Sequence, residues 1–300
     1  MLLVTACSPR RYAARTFART LDEASMLFLE EEDLALAGAA LPFALKMDEV
    51  LLEQAPGDRR LLQSACRGFT LYAWGWVDTA GGSEPLAGGD RRQATARAAR
   101  LYLRGLEYCL QGLDAAYPGF RDELARDPQR AAARLSPRHA GRDLPLVHGA
   151  VAAIFLANAA DGAASAHVLA RLGEAEALLE RALELDESWD RGALHELRMR
   201  QLAAKPEPLD DAAMGLHFRR ARALSQERRA GVWVTWAETY CVAHQSRDCF
   251  LEHLDRALEL YIEDAPRERL ANGIAQRRAR LLKDRTADLI LEAAASGGGG

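Results

Sequence analysis

Little in this 300-residue sequence marks chemistry. It has no GxGxxG turn for a dinucleotide, no GxxxxGK[ST] phosphate loop, no GxSxG nucleophile elbow and no HExxH zinc pair. His195-Glu196 opens the last of these, but Met199 stands where the second His is needed. The seven histidines offer no other pair at ligand spacing, so no metal, no cofactor and no enzyme activity is expected. Positive charge is not in surplus: 39 Lys and Arg face 43 Asp and Glu, for a net charge of −4. That balance excludes a dedicated nucleic-acid binder. Aromatic residues are scarce at 7%, and 23 Gly with 11 Pro are too few for a collagen-like or disordered chain. No apolar run reaches the ~20 residues of a membrane-spanning helix. The nearest, Leu144–Ala160, carries His148 and Asn158 and reads as a core helix.

What is present is helical spacing. Leu45, Val50, Leu51 and Leu52 fall near one face, as do Leu178, Leu179, Ala182, Leu183 and Leu185. Leu251, Leu254, Ala257, Leu258 and Tyr261 form a third stripe. Breaks come at Pro56-Gly57-Asp58, Gly81 to Gly89, Pro118-Gly119, Pro137, Gly141 to Pro145, Asp161-Gly162, Pro206 to Pro208 and Pro266. No alternating run is long enough for a strand. The stretch Tyr117–Asp143 reads as loops with short charged helical pieces, and Glu30–Asp33 as an acidic helix start.

Internal repetition carries more. Arg181-Ala182-Leu183-Glu184-Leu185 recurs as Arg256-Ala257-Leu258-Glu259-Leu260, with a looser copy from Arg220 to Leu224. Leu45–Pro56 is a weaker copy. This fits degenerate tetratricopeptide units, helical hairpins in which Ala182, Ala221 and Ala257 are the small residues where helices touch. Such hairpins bury their apolar faces only by stacking. The fold expected is all-α: stacked hairpins in a tetratricopeptide-like right-handed superhelix, one domain over residues 8–295, with a Gly-rich tail at 296–300.

Cys66, Cys109, Cys241 and Cys249 have neither CxxC nor CxxH spacing and read as small buried hydrophobes. A turn would be needed to bring Cys241 and Cys249 together. The fifth cysteine differs. Val4-Thr5-Ala6-Cys7 resembles the lipobox of bacterial lipoproteins, in which the Cys carries the lipid. The few residues ahead of it lack the basic and apolar regions of a signal peptide. Residues 1–7 thus read as a truncated signal remnant, with the true start expected upstream. Ser8 after Cys7, by the usual lipoprotein sorting pattern, points to the outer membrane.

An ordered series of other motifs resembles the T component (TatT) of tripartite ATP-independent periplasmic (TRAP) transporters. It includes Leu41-Pro42-Phe43-Ala44-Leu45-Lys46, the aromatic Phe69–Val77, Arg100–Arg104, Leu144–His148, LELDESWDRGALHE from Leu183 to Glu196, Leu270-Ala271-Asn272 and Arg277–Leu282. The resemblance implies a periplasmic lipoprotein, attached to membrane only by its lipid, without enzyme activity. It implies docking to the solute-binding receptor, self-assembly as a trimer, and a cavity for a ligand. Cys7 is then the lipidation site. Lys46, Tyr72, Trp76, His148, Arg191, His195, Glu196, Asn272 and Arg277 are the candidate ligand or partner surface. The alternative is a cytoplasmic tetratricopeptide adaptor for peptide segments.

Overall fold

The computed structural model describes residues 28–78, 91–161, 166–205 and 207–291, with 16, 19 and 20 ahead of them. Cys7 with its lipobox, the Gly81–Gly89 break and the 296–300 tail lie outside the described residues. Every regular element among the described residues is helical, so the all-α class expected from apolar spacing is the observed one. The chain divides into two compact units, Met1–Glu187 and Ser188–Gly300.

Unit 1 begins with α1 (Leu34–Gln54). Asp33 caps it, its carboxylate accepting from the backbone N–H of Ala35 (2.8 Å) and Leu36 (3.0 Å). The acidic start read from the sequence is therefore a working cap. The Pro56-Gly57 turn ends at Asp58, which caps α2 (Arg59–Tyr72) in the same way. There follow α3 (Arg91–Ala116), the short α4 (Phe120–Arg126) and α5 (Pro128–Ala133), α6 (Ala140–Asp161), α7 (Ala166–Leu169) and α8 (Leu172–Asp186). The short pieces occupy the loop-rich stretch expected there. No break occurs at Gly141–Pro145: α6 runs through Pro145, whose missing N–H forgoes one bond near the helix start. By length and hydropathy the helical stretch Pro137–Ala160 could cross a membrane, but 72% of its most apolar window is buried within the protein. It is the core helix the sequence called for.

The unit 1 core is aliphatic. Leu62, Leu106, Leu113, Val147, Val151 and Leu178 are fully buried where α2, α3, α6 and α8 meet. Cys66 and Cys109 are not free hydrophobes, as expected, but a disulfide joining α2 to α3. A helix passes close over it because Gly149 of α6 has no side chain. A Cβ there would lie 2.4 Å from Cys66 Sγ.

Unit 2 is built from shorter helices: α9 (Ala193–Ala203), α10 (Asp211–Ser225), α11 (Ala230–Trp236), α12 (Arg247–Glu259), α13 (Arg269–Asp284) and α14 (Thr286–Leu289). Its core is aromatic. Phe218 stacks on Trp236 (ring centroids 4.3 Å) and meets Trp233 edge-on (5.4 Å). Cys241 and Cys249 form a second disulfide, the turn between α11 and α12 bringing them together. The turn that the Cys241–Cys249 pairing required is thus present, whereas the Cys66–Cys109 pairing went unread because it depends on which helices become neighbours, and spacing along the chain does not encode that.

Two local features recur. Each of α2 and α11 continues into a π-turn, Ala73–Val77 and Ala237–Cys241. Each disulfide then ties that helix, or its π-turn, to the next long helix. The repeat alanines Ala182, Ala221 and Ala257 are all fully buried, as their expected place at helix contacts requires.

Candidate functional site

The first candidate surface is α1. Its buried side carries Leu41, Leu45 and Leu52. On another side, Leu36, Phe43 and Val50 are 57%, 71% and 54% exposed. They are spaced by seven residues, so they fall in one row along the helix. Val50 therefore leaves the stripe assigned to it beside Leu45 and belongs to this open row. Beside the row lies a groove of about 450 Å³, lined by Lys46, Glu49, Glu53, Arg104, Tyr108 and Gln111 among others.

Glu49 organises that groove. It accepts from Lys46 Nζ (2.8 Å) and Tyr108 Oη (2.7 Å), and pairs with Arg104. Burial pushes its carboxyl up, but these three donors outweigh burial and hold it below its ordinary value. It is therefore a poor proton donor. Burial and the hydrogen bond to Glu49 push the Tyr108 phenol up to about 12, so it stays a donor. Tyr108 stacks on Phe69 (5.7 Å), and the Arg104 guanidinium lies over the same ring (4.8 Å). Behind the groove, Asp48 is buried and accepts from Ser64 Oγ (2.7 Å). Burial raises it to about 6 despite that bond.

Tyr72 and Trp76, four residues apart, stack (6.2 Å). Trp76 is a wedge between helices: its Nε1 donates to the Leu34 carbonyl (2.9 Å) and its ring occupies the space a Cβ on Gly38 would need. His148 is half-buried on α6. Neither Tyr72, Trp76 nor His148 lines the Lys46 groove.

In unit 2 the structure brings three candidates together around a residue the sequence reading did not single out, Arg229. Its Nε lies 2.9 Å from Glu196, and its Nη1 lies 3.5 Å from Asp190 and 3.8 Å from Glu268. Arg191 reaches Glu268 at 3.9 Å. Asn272 latches the segment from both sides, its Oδ1 accepting from Ala230 N (2.9 Å) and its Nδ2 donating to Arg228 O (2.8 Å). Asp190 and Arg191 adopt left-handed φ of 44° and 54°, strained for residues with side chains. Arg229 Nη1 holds that turn by donating to the Asp190 carbonyl (2.8 Å).

One turn along α9 a second cluster follows. Arg200 reaches Glu238 (3.2 Å) and Thr235 (3.0 Å), and Arg278 reaches Glu238 at 2.6 Å. The two acids differ. Burial holds Glu196 above its ordinary value even beside Arg229. At Glu238 burial acts the same way, but Arg278 and Arg200 outweigh it and hold the carboxyl low. The three arginines of residues 277–280 are thus divided: Arg278 is buried in an ion pair, Arg277 is half-buried and Arg280 exposed. His195 points elsewhere, its Nδ1 2.8 Å from His217 Nδ1.

Two signals in the sequence could have found what was missed. Glu238 is the lone charged residue between Ala230 and Cys241, the pattern of an acid carried into a core. Cys249 and His253, three residues between them, share a helix face. The structure gathers Cys241, Cys249 and His253 so that their donor atoms lie within 4.8 Å of one another.

The chain was compared with known proteins. The family model described as TRAP transporter T-component matches residues 30–290. A protein of Treponema pallidum (strain Nichols), described only as uncharacterized, is 29% identical over 97% of this chain and 95% of its own length. The match begins just ahead of α1 and ends just past α14, so it takes in the α1 groove and the Arg229 cluster alike. The chain belongs to the TRAP transporter T-component family, the accessory components of TRAP transport systems.

Proposed function

We propose that this chain is a non-enzymatic lipoprotein that docks the periplasmic solute-binding protein of a TRAP system through α1. The observation that carries this reading is the open row Leu36, Phe43 and Val50. A helix that buries leucines on one side and leaves a regular apolar row in water on another is built for a partner. Phe43 is its anchor, at the centre of the row. The charged groove beside it, with Lys46, Arg104 and the Glu49 carboxylate, gives a rim for the receptor or a seat for a small polar ligand.

The finer parts of the reading go with it. The helices stack as one tetratricopeptide-like right-handed superhelix, Cys7 carries lipid, the chain sits at the periplasmic side of the outer membrane, and copies assemble as a trimer. Two disulfides support an oxidising compartment and speak against a cytoplasmic peptide adaptor. The low pKa of Glu49 argues against an acid–base pair in the groove.

Affinity purification from native membranes tests the reading. It predicts co-purification of a TRAP-type solute-binding protein, lost with Phe43→Asp. Recovery of no such receptor by the unaltered chain contradicts it. If Phe43→Asp changes the oligomeric state and leaves the receptor bound, α1 is a self-assembly face instead.

A further inference from the structure

Cys241 closes the π-turn after α11, and Cys249 lies in the first turn of α12, its N–H donating to the Ser246 cap (3.4 Å). His253 follows four residues later, which puts it on the same helix face as Cys249. Its Nδ1 is 3.9 Å from Cys249 Sγ and 2.8 Å from the Cys249 carbonyl. Phe218, Trp233 and Trp236 surround the imidazole at 5.6, 5.8 and 6.1 Å between ring centroids. Two sulfurs and an imidazole nitrogen thus converge on one small volume, the Cys2His donor set that zinc takes with a fourth position left for water.

While the sulfurs are bonded to each other they offer no thiolate. Access separates this disulfide from the other one. Cys66 and Cys109 are both fully buried, whereas Cys249 is half-buried and meets solvent. Cys249 is thus the solvent-facing end of this disulfide, and exposed disulfides are the labile ones.

We propose that Cys241, Cys249 and His253 form a redox-gated site for a soft divalent cation of the zinc class, closed as the disulfide and opened by a dithiol reductant. A reductant thiolate attacks Cys249 Sγ, the Cys241–Cys249 bond breaks, and Cys241 leaves as thiolate. The reductant's second thiol then displaces Cys249, so the dithiol leaves as a disulfide and the protein gains two electrons and two protons. Cation binding releases both thiol protons. The imidazole gives up its Nδ1–H bond to the Cys249 carbonyl: with the ring proton carried on Nε2, Nδ1 presents a lone pair, and a small rotation of the ring aims it at the metal. The site stands apart from α1 and does not depend on the docking reading.

The test is a cobalt(II) titration of the full chain, reduced with excess dithiothreitol and desalted without oxygen. One equivalent should bind with sulfur-to-cobalt charge-transfer bands, and zinc(II) should displace it. Cys249→Ser should abolish the bands. His253→Ala should weaken binding by about tenfold or more. A Cys66→Ser/Cys109→Ser chain should keep the bands if its circular dichroism shows it folded. The proposal is overturned if the reduced chain binds no cobalt, if Cys249→Ser leaves the bands unchanged, or if the unreduced chain shows them. It is equally overturned if reduction of the Cys241–Cys249 pair melts the helices.

Discussion

Unit 1 and unit 2 bury different things. Unit 1 closes long helices over leucine and valine and admits charge at separate points, such as Asp143 against Arg59 and Asp48 against Ser64. Unit 2 has shorter helices and threads charge through its interior, from Asp190, Arg229 and Glu196 to Arg200, Glu238 and Arg278. Short helices bury less apolar surface each, and here they are held in register by directional contacts as well. The strained turn at Asp190–Gly192 is one such place: it persists because Arg229 and Asn272 fix the chain around it. The lesson is that a buried charge lattice positions a backbone that an apolar core alone would leave free to relax.

That contrast can be broken or sharpened by mutation. Arg229→Ala should destabilise unit 2 most, by about 3–5 kcal/mol, because it takes from buried Glu196 its ion-pair partner and leaves Glu268 with Arg191 alone. Urea unfolding measures it, and a loss below about 1 kcal/mol would remove the lattice from the account. Disulfide removal should follow. In the chain-entropy description, Cys66→Ser/Cys109→Ser opens a 43-residue loop at a cost of about 4 kcal/mol, against about 2.5 kcal/mol for the 8-residue Cys241–Cys249 loop. Thermal unfolding of the two double mutants should preserve that order.

Next comes Asp48→Asn, expected to stabilise at neutral pH by about 1–3 kcal/mol. The sign follows from Asp48 being raised to about 6 from an ordinary 3.8. Between those values the native state keeps a proton that the unfolded state has lost, so stability falls as pH rises from about 4 to about 6. Asp48→Asn should flatten that fall in a pH series of unfolding midpoints. The smallest effect belongs to Lys46→Ala. Lys46 is exposed in an i,i+3 pair with Glu49, and its loss should cost less than about 0.5 kcal/mol.

Much of unit 1 was legible in the sequence because its rules are local. Glu30–Asp33 announced a helix start, Pro56-Gly57-Asp58 announced a break, and Leu144–Ala160 announced a core helix. Unit 2 was legible in outline only. Glu196 read as a ligand or partner surface residue and nothing marked Arg278 as buried, since burial of a charge depends on a partner brought from a distant helix. The same holds for Cys66 and Cys109, 43 residues apart. The candidate site divided likewise: Lys46 fell in the groove and Arg191, Glu196 and Asn272 gathered around Arg229. The open row on α1 went unread, although the seven-residue spacing of Leu36, Phe43 and Val50 was there to be counted.

The central claim is that α1 docks the solute-binding receptor, and the direct measurement is a calorimetric titration of the purified chain with the TRAP solute-binding protein of the same genome. The account predicts saturable binding for the unaltered chain and a Kd weakened by about tenfold or more with Phe43→Asp, while Arg130→Ala, an exposed ion-pair residue that does not line the groove, leaves it unchanged. Binding that is absent in the unaltered chain, or that Phe43→Asp does not alter, would contradict it.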